Sequence, residues 1–453
     1  MLINDDRLNE LMSKSIRPKC EPEIRVSFYT QDGEWVSKTF TSANVSSVKY
    51  KRGVDPIGRT LPYMELVWTE TYIGNLSAEN VELKYGMFDT LSHVSFALEQ
   101  FTDFAGSDSI YFFTPPLWLV GKPVVNGHEI VWTARDTMYF LNNKQEIGFQ
   151  KGINFRNPLR YFLLDERAEH KSNDYDSQFI YYLDRTQGAI IDENENPIDT
   201  IYVFDGTTKS ILKDLASTRN YFWDFGRNEM FFKSFSELLS KTDVVHTFKG
   251  DTMKRYPELT ENKNISAFTF TQHKAKVKTK DAYTLDTLDE VVEDMGVSVN
   301  RYDLEDWGTI TGSDGSPYLP NTINKVVYTT SNTKSVDISP VSITSSEMFV
   351  NNNKNGEMYS ENNSCYFADK FAKLITRMNL LNTYFNEDID TMQFECLPHF
   401  AVEPCDLVGV QTNIFENGER VIKKGIVVEQ ELSYNGAWTE KLIVHEVKAN
   451  GTV

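Results

Sequence analysis

The placement of turn-forming dipeptides constrains the fold of this chain more than any other feature of its sequence. An asparagine or aspartate followed by glycine is a strong local signal for a tight β-hairpin, because both residues tolerate a positive φ. Such dipeptides are spread over the 453 residues, at Asp32-Gly33, Asn126-Gly127, Asp205-Gly206, Asp314-Gly315, Asn355-Gly356, Asn417-Gly418 and Asn435-Gly436. The spacing predicts a chain made mainly of antiparallel strands.

Apolar residues alternate with polar ones on both sides of two of these turns. Around Asn435-Gly436 the apolar positions are Ile426, Val428, Leu432 and Tyr434 before the turn, and Trp438, Leu442 and Val444 after it. Around Asn126-Gly127 they are Val124, Val125, Ile130 and Trp132. Because a period of two places alternate side chains on one face, each stretch is predicted to form a hairpin with one buried face.

A different turn is predicted at residues 55–58, where Asp, Pro and Gly occupy the positions that a type I turn favours. This turn separates two strand-like stretches, residues 45–50 and 63–71. Residues 23–145 are therefore predicted to form a mostly antiparallel β domain, with one helix near residues 77–85.

The middle of the chain has a mixed pattern. Apolar residues at helical spacing predict a helix over residues 210–218. Residues 205–208, just before it, are of the types that cap the N-terminus of a helix. Residues 221–225 and 230–232 are predicted to pair as strands, and residues 285–295 to form a second short helix.

The last part of the chain is predicted to contain loops, a long helix and a compact β module. Residues 308–322 and 351–363 are rich in Gly, Ser and Asn, which is typical of loops. Residues 366–385 carry one apolar stripe, which predicts an amphipathic helix with a buried face. The stripe consists of Phe367, Phe371, Leu374, Ile375, Met378, Leu381 and Phe385. The β module is predicted over residues 391–447.

The composition is consistent with sizeable cores and argues against one class of function. Hydrophobic residues make up 40% of the chain and aromatic residues 13%. The 46 basic residues are outnumbered by 65 acidic ones, which gives a net charge of −19. Because binding to phosphates needs clustered Lys and Arg, this balance argues against a protein that grips nucleic acid. It fits a solvated surface, or a wall that DNA slides past.

Neither a leader peptide nor a membrane span is expected. The N-terminus lacks a basic start followed by an apolar run, and no stretch of about 18 apolar residues occurs. The four cysteines are Cys20, Cys365, Cys396 and Cys405. They form no CxxC pair, so buried free thiols are expected rather than a disulfide framework.

The sequence patterns of several enzyme classes are absent. Neither G-x-G-x-x-G nor G-x-S-x-G occurs. Residues 53–60 resemble a phosphate-binding loop, but Asp55 would place a negative charge against the phosphate. In addition, Pro56 lacks the backbone N–H that such a loop needs, and Pro62 breaks the helix that should follow. A turn is predicted here instead.

The candidate metal sites lack ligands. A zinc peptidase helix needs a second histidine four residues after the first, and His128 and His445 have none there. Residues 192–203 begin like a calcium loop, but proline and valine replace the glycine and glutamate of its sixth and twelfth positions. No catalytic, cofactor-binding or metal-binding residue is therefore assigned.

Two carbohydrate-related alternatives remain open. Paired carboxylates would make a glycosidase, although the sequence singles out no pair. Four tryptophans could form a sugar-stacking platform, although burial in a core or an interface is their ordinary role. They are Trp118, Trp132, Trp223 and Trp307.

Both ends of the sequence resemble a known family. The stretch Asp-Pro-Ile-Gly-Arg-Thr-Leu-Pro-Tyr-Met-Glu-Leu-Val-Trp-Thr-Glu resembles the first β domain of tail-tip hub proteins of long-tailed bacteriophages. The C-terminal stretch resembles the closing barrel of the baseplate hub and tail-associated lysin family. The matching residues are 42–45, 55–70 and 121–139 at one end, and 366–385, 397–408 and 425–436 at the other.

The resemblance implies a fold that is mainly β with α+β parts. Two antiparallel β-barrel tube domains would flank two intervening or inserted domains. The first barrel covers residues 1–149, and residues 361–453 form an amphipathic helix followed by the C-terminal barrel. The intervening domains are a mixed α+β domain over residues 150–265 and a β-rich domain with long loops over residues 266–360. Three copies would form a ring. With two barrels from each chain, this ring matches the symmetry of a six-fold ring above it.

The resemblance also implies a function. The chain is expected to be a non-enzymatic hub at the virion tail tip, made in the host bacterial cytoplasm, that continues and closes the tail tube. Any cell-wall activity is expected to belong to another polypeptide. The alternatives are a carbohydrate- or receptor-binding protein of the same particle, with or without hydrolytic activity, and another β-rich particle protein.

The expected partners follow from the same resemblance. They are the other copies of a homotrimer, a distal tail protein ring, a tape measure protein, and tail fibres or receptor-binding proteins. DNA would pass through the channel without sequence-specific binding, and the host cell surface would be contacted indirectly. No cofactor is expected.

Overall fold

A computed structural model gives the fold. It describes residues 20–29, 34–72, 81, 85, 92–101, 109–141, 144–145, 149–150, 202–203, 206–227, 229–261, 265–279, 322–323, 326–329, 334–345, 357–362, 380–381, 383–385 and 389–447. These residues form large antiparallel sheets with few helices, so the prediction of a mainly β chain is confirmed. No helix in this part of the chain is long and apolar enough to cross a membrane.

The N-terminal part contains nine described strands and one short helix. The strands are β1 (Cys20–Tyr29), β2 (Trp35–Thr41), β3 (Val45–Gly53), β4 (Tyr63–Thr71), β5 (His93–Phe101), β6 (Ser109–Phe113), β7 (Leu117–Leu119), β8 (Val124–Asn126) and β9 (Glu129–Arg135). Helix α1 (Thr137–Phe140) follows, capped by the Asp136 carboxylate. Val81 and Tyr85 are helical, and the rest of the helix predicted over residues 77–85 lies outside the described residues.

The middle part contains short strands and two helices. They are β10 (Lys144–Gln145), β11 (Phe149–Gln150), β12 (Tyr202–Val203), β13 (Gly206–Thr207), α2 (Thr208–Arg219), β14 (Tyr221–Phe225), β15 (Met230–Ser234) and α3 (Phe235–Leu239). The Thr207 hydroxyl caps α2, and the left-handed Asn220 ends it. The predicted helix over residues 210–218 and the strand pair after it are therefore confirmed.

The last part of the chain contributes eleven described strands. They are β16 (His246–Phe248), β17 (Glu258–Glu261), β18 (Ile265–Thr279), β19 (Thr322–Ile323), β20 (Val326–Thr329), β21 (Lys334–Ser345), β22 (Glu357–Asn362), β23 (Asp390–Cys396), β24 (Leu407–Glu416), β25 (Glu419–Tyr434) and β26 (Trp438–Glu446).

One 15-stranded sheet joins the two ends of the chain. Its main path runs β17-β23-β26-β25-β3-β4-β9-β7-β5-β1-β2, so strands from both predicted barrel regions belong to one ladder. Among the described strands this path does not close into a barrel. A second, five-stranded sheet is built around β18 and β21, within residues 265–362. The predicted domain boundaries stay predictions.

The turn predictions at residues 55–58, 126–127 and 435–436 hold, with one correction of register. Gly206 lies in β13 instead of a hairpin turn. Asp205 and the predicted turns at residues 32–33, 314–315 and 355–356 lie outside the described residues. Gly58 N donates to Asp55 O at 2.9 Å in the turn between β3 and β4. The predicted hairpin at Asn435-Gly436 joins β25 to β26. At the Asn126-Gly127 hairpin, Asn126 pairs with Glu129, so the turn residues are Gly127 and His128 rather than Asn126 and Gly127. The strand ladder, and not the dipeptide alone, sets the register.

Another correction concerns the predicted loop over residues 351–363. Residues 357–362 form β22, which pairs in parallel with β18. A partner strand can hold a polar segment as a strand whatever its local composition, because strand preference depends on context. The predicted helix over residues 285–295 lies outside the described residues, as do most of the predicted loop 308–322 and residues 366–379 of the amphipathic helix. Within the stretch predicted as this helix, residues 380–381 and 383–384 are helical.

Stacked aromatic rings form the centre of the N-terminal core. Trp68 of β4 and Trp132 of β9 are cross-strand partners, and their parallel rings lie 5.8 Å apart. Phe40 of β2 packs edge-on against both of them. All three side chains are fully buried. Cross-strand aromatic pairs of this kind stabilise a sheet by packing and by large apolar burial.

Candidate assembly interface

The two ends of the chain meet where β25 pairs with β3. The antiparallel ladder runs from the pair Glu429–Gly53 to the pair Tyr434–Val48. On one face it carries two cross-strand ion pairs, Lys49–Glu431 and Lys51–Glu429, each at 3.0 Å. Exposed ion pairs contribute little, so the backbone hydrogen bonds and the core beneath hold this junction. Residues from both ends therefore form one continuous wall.

A buried ion network fastens the middle of the chain to this wall. The Arg52 guanidinium on β3 donates to Asp224 Oδ1 at 2.8 Å and to Phe225 O at 2.7 Å. The Lys233 ammonium on β15 binds the other oxygen of the Asp224 carboxylate. The Glu403 carboxylate lies 3.7 Å from Arg52, on the loop before β24. The network thus connects three separate parts of the sequence.

The network keeps its acid charged. Burial by itself would raise the pKa of Asp224, but Arg52 and Lys233 together hold that pKa below its ordinary value. A buried ion pair adds little net stability over apolar packing, yet removal of one partner leaves a costly buried charge. The network therefore fixes where the β14–β15 hairpin docks on the sheet.

Close backbone packing at Gly58 reinforces the same docking. Gly58 has φ +72°, and a Cβ placed there would lie 2.4 Å from Tyr221 O and 3.2 Å from Ser217 N. The Asp55 carboxylate accepts from Ile57 N at 3.3 Å and from Thr60 N at 3.0 Å. The stretch that resembled a phosphate loop is thus a turn whose anionic side chain occupies the local backbone donors. The predicted turn is confirmed.

A second buried acid accepts hydrogen bonds from side chains of neighbouring strands and from Tyr85. The Glu70 carboxylate accepts from the Tyr85 hydroxyl at 2.8 Å and from Lys38 Nζ at 2.9 Å. Trp132 Nε1 donates to its other oxygen at 3.3 Å. Because every donor is a core or edge-strand side chain, this carboxylate organises the core.

The tryptophans proposed as a sugar platform are core residues. Trp118 and Trp132 are fully buried, and Trp223 is 1% exposed. Trp223 Nε1 donates to Leu212 O of helix α2 at 2.9 Å. Trp307 lies outside the described residues. A stacking platform made of the other three is therefore wrong, because none of their faces is open to a ligand.

The described residues offer no cluster suited to a metal ion, since no three His, Cys, Asp or Glu side chains converge there. His128 lies in an exposed turn. His445 is buried on β26 against the ring of Tyr384, with 3.8 Å between centroids. Burial lowers the pKa of His445 to about 4, which keeps the ring neutral. Neither histidine lies on a helix.

The cysteines in the described part of the chain are free thiols, as expected. Cys396 and Cys405 are buried, and Cys20 is half-buried. Cys365 and the calcium-like stretch 192–203 lie outside the described residues, apart from Tyr202 and Val203 in β12.

The two ends of the sheet path differ in chemistry. Strand β2 has 40% of Trp35 and 50% of Val36 exposed. Strand β17 instead exposes Glu258 and Glu261. Charged side chains discourage further strand pairing, whereas exposed apolar ones favour contact with another surface. The β2 end is the more suitable for association.

The sequence analysis missed the buried network, although a signal was present. Val48, Tyr50 and Arg52 are two residues apart on β3, so all three point to the same buried face. A charged residue in the buried phase of a strand needs a buried partner. The position of Arg52 could thus have been singled out, but Asp224 is too distant in sequence to be identified as its partner.

Comparison with known proteins gives similarity at the level of solved structures. No protein-family model and no curated protein matches the chain. A 43 kDa tail protein of prophage MuSo2 from Shewanella oneidensis has 9% identity and a TM-score of 0.45, with 93% of this chain and 98% of that chain covered. A tail protein from Neisseria meningitidis MC58 has 10% identity and a TM-score of 0.46, with 93% and 96% covered.

A third solved structure is similar over the same share of the chain. The prophage tail protein gp18 from Listeria monocytogenes EGD-e has 9% identity and a TM-score of 0.39, with 93% of this chain and 94% of that chain covered. All three are described as tail proteins, and two of them belong to prophages.

Proposed function

We propose that the chain is the structural hub of a bacteriophage tail tip or of a tail-like particle. In this proposal three copies form a ring that continues and closes the tail tube and anchors fibres or receptor-binding proteins. The family resemblance at both ends of the sequence supports it. The chain has no catalytic role here, and cell-wall hydrolysis belongs to another polypeptide.

The observation that carries the proposal is the pairing of β25 with β3. A ring of three chains with two similar β modules each needs two kinds of contact between neighbouring modules. One lies within a chain and the other between chains. The β3–β25 ladder supplies the first kind, because it joins both ends of the chain without a gap. The second kind would use surfaces that the single chain leaves open.

The charge of the chain suits the proposed channel. The net charge is −19, and DNA phosphates are repelled by a wall of the same sign. A lumen lined by part of this charge would let DNA pass without sequence-specific binding. A distal tail protein ring, a tape measure protein and fibres or receptor-binding proteins are the proposed partners around it.

Imaging of the purified chain by single-particle electron microscopy tests the proposal. We expect three-fold particles with a central channel whose wall has pseudo-six-fold symmetry. Compact particles without a channel, at concentrations where the chain is fully associated, would overturn the ring. A parallel incubation with host cell walls separates the alternative function, because release of soluble sugar would show an enzyme.

A further inference from the structure

A protruding ribbon carries a conspicuous exposed apolar patch. We define the arm as residues 411–423, the outer part of the hairpin of β24 and β25. Within it, Ile414 is 40% exposed, Phe415 59% and Ile422 47%. The burial pattern of β24 changes from buried to fully exposed along its length, so the arm extends beyond the core. Exposed apolar residues grouped in this way mark an interaction surface.

The arm is held in shape before any partner binds. Asn417 and Gly418 both have positive φ, 52° and 86°, as a tight two-residue hairpin turn requires. The Arg420 guanidinium lies over the Phe415 ring at 4.7 Å and over the Tyr256 ring at 4.1 Å. This stack fixes the tip against the body of the protein. A preorganised surface loses little conformational entropy when it binds.

The tip of the arm is acidic. Glu416 and Glu419 are directly opposite each other across the two strands, and both are exposed. Like charges in opposite positions repel each other and weaken a ribbon. A cationic partner would relieve this repulsion. The arm therefore offers an apolar surface with an acidic end, and the chemistry that fits it is an aromatic surface with a cation.

The chain presents such a surface elsewhere. On β6 the rings of Tyr111 and Phe113 stack at 5.9 Å, and the Arg227 guanidinium covers Phe113 at 4.5 Å. Arg227 is exposed in the turn between β14 and β15, and Tyr111 is 37% exposed. The Tyr111 hydroxyl donates to Glu99 at 2.8 Å, which fixes the ring. We call Tyr111, Phe113 and Arg227 the aromatic–arginine patch.

We propose that the arm of one copy docks on the aromatic–arginine patch of the neighbouring copy. Side chains alternate along a strand, so Ile414, Glu416 and the opposite Glu419 lie on one face of the arm. Ile414 packs on the two rings, and the acid pair receives the Arg227 guanidinium. The two surfaces differ, so the contact is heterologous, and such contacts generate closed rings when the rotation closes. The inference rests on the proposed ring and names its contact between chains.

A charge swap tests the contact. Arg227→Glu and the double substitution Glu416→Arg/Glu419→Arg each place like charges in the interface. Each should raise the concentration for half-dissociation about tenfold or more, because facing like charges at an interface are strongly unfavourable. The triple variant restores opposite charges and should associate like the original chain. Arg25→Glu, the same change on an exposed arginine of β1, serves as the matched control.

Sedimentation velocity over a concentration series measures the concentration for half-dissociation of all five proteins. Thermal melting confirms that each of them is folded. An oligomer that both one-sided reversals weaken and the triple variant restores supports the contact. If the original chain is oligomeric and the one-sided charge reversals do not weaken its association, the arm contact is wrong. It is also wrong if the triple variant does not regain the association of the original chain. Neither result contradicts the proposed ring. A monomeric original chain at every concentration overturns both.

Discussion

At the residue scale, buried charges define how this chain is put together. Arg52 and Asp224 are each about 2% exposed and form their ion pair between β3 and β14. The sequence analysis did not single out position 52, although this residue continues the alternation of buried side chains at Val48 and Tyr50. It could not identify the partner, because a buried ion pair between distant strands leaves no local pattern.

The first prediction concerns this pair. Arg52→Met should lower the free energy of unfolding by about 2–4 kcal/mol, because Asp224 loses one of its two cations in a buried site. Arg25→Met, which removes an exposed arginine, should cost under about 1 kcal/mol. Urea unfolding monitored by tryptophan fluorescence measures both. Equal costs would show that the buried network does not fix the hairpin.

The second prediction concerns pH. Asp136 is 3% exposed and accepts from Met64 N at 2.9 Å and from Tyr139 N at 3.0 Å. Burial raises its pKa to about 6, whereas an unfolded aspartate titrates near 4. Between these values the folded state binds a proton that the unfolded state lacks. Its stabilising contribution is therefore greatest at low pH and is lost as the pH rises from about 4 to about 6, by up to about 3 kcal/mol.

Asp136→Asn should remove this contribution, because the amide does not titrate. The free energy of unfolding, measured in urea between pH 4 and pH 7, should then fall less steeply in the variant than in the original chain over that window. Asp406, whose pKa burial also raises to about 6, and His445 titrate in both proteins, so the difference between the two profiles isolates Asp136. Parallel profiles would contradict the assignment.

At the element scale, local chemistry predicted hairpins well and strand partners poorly. The turn at Asp55 and the hairpin at Asn435 follow from residues that are adjacent in sequence, and both are confirmed. The β22 strand was predicted to be a loop, because its partner β18 holds it through contacts that the local pattern does not contain. The tryptophans proposed as a platform could not be told from core residues, because burial is a property of the assembled sheets.

The third prediction compares two glycines with similar backbone conformations. A Cβ added at Gly58 (φ +72°) would approach the backbone of α2 and β14 closely. A Cβ added at Gly127 (φ +63°) would have nothing within 4 Å. Gly127→Ala should cost about 1–2 kcal/mol for the left-handed conformation alone. Gly58→Ala should cost at least about 2 kcal/mol more, since a packed element must move as well. Thermal unfolding of both variants measures the difference, and equal losses would contradict the close docking.

At the scale of the whole molecule, composition and turn spacing predicted the mainly β class but not the joined sheet. Strands β3 and β25 lie near opposite ends of the sequence, and pairing across such a distance leaves no local trace. The family resemblance placed related modules at both ends, which is consistent with their meeting. The closed barrels and the trimer implied by that resemblance belong to the proposed assembly.

The mass of the purified chain in solution tests the central claim most directly. We predict a species of about three times the 52.1 kDa chain by multi-angle light scattering on a size-exclusion column, as a closed three-fold ring requires. The species should persist on dilution into the low micromolar range. A monomer at every concentration would contradict the trimeric hub and leave a β-rich protein whose two ends join in one sheet.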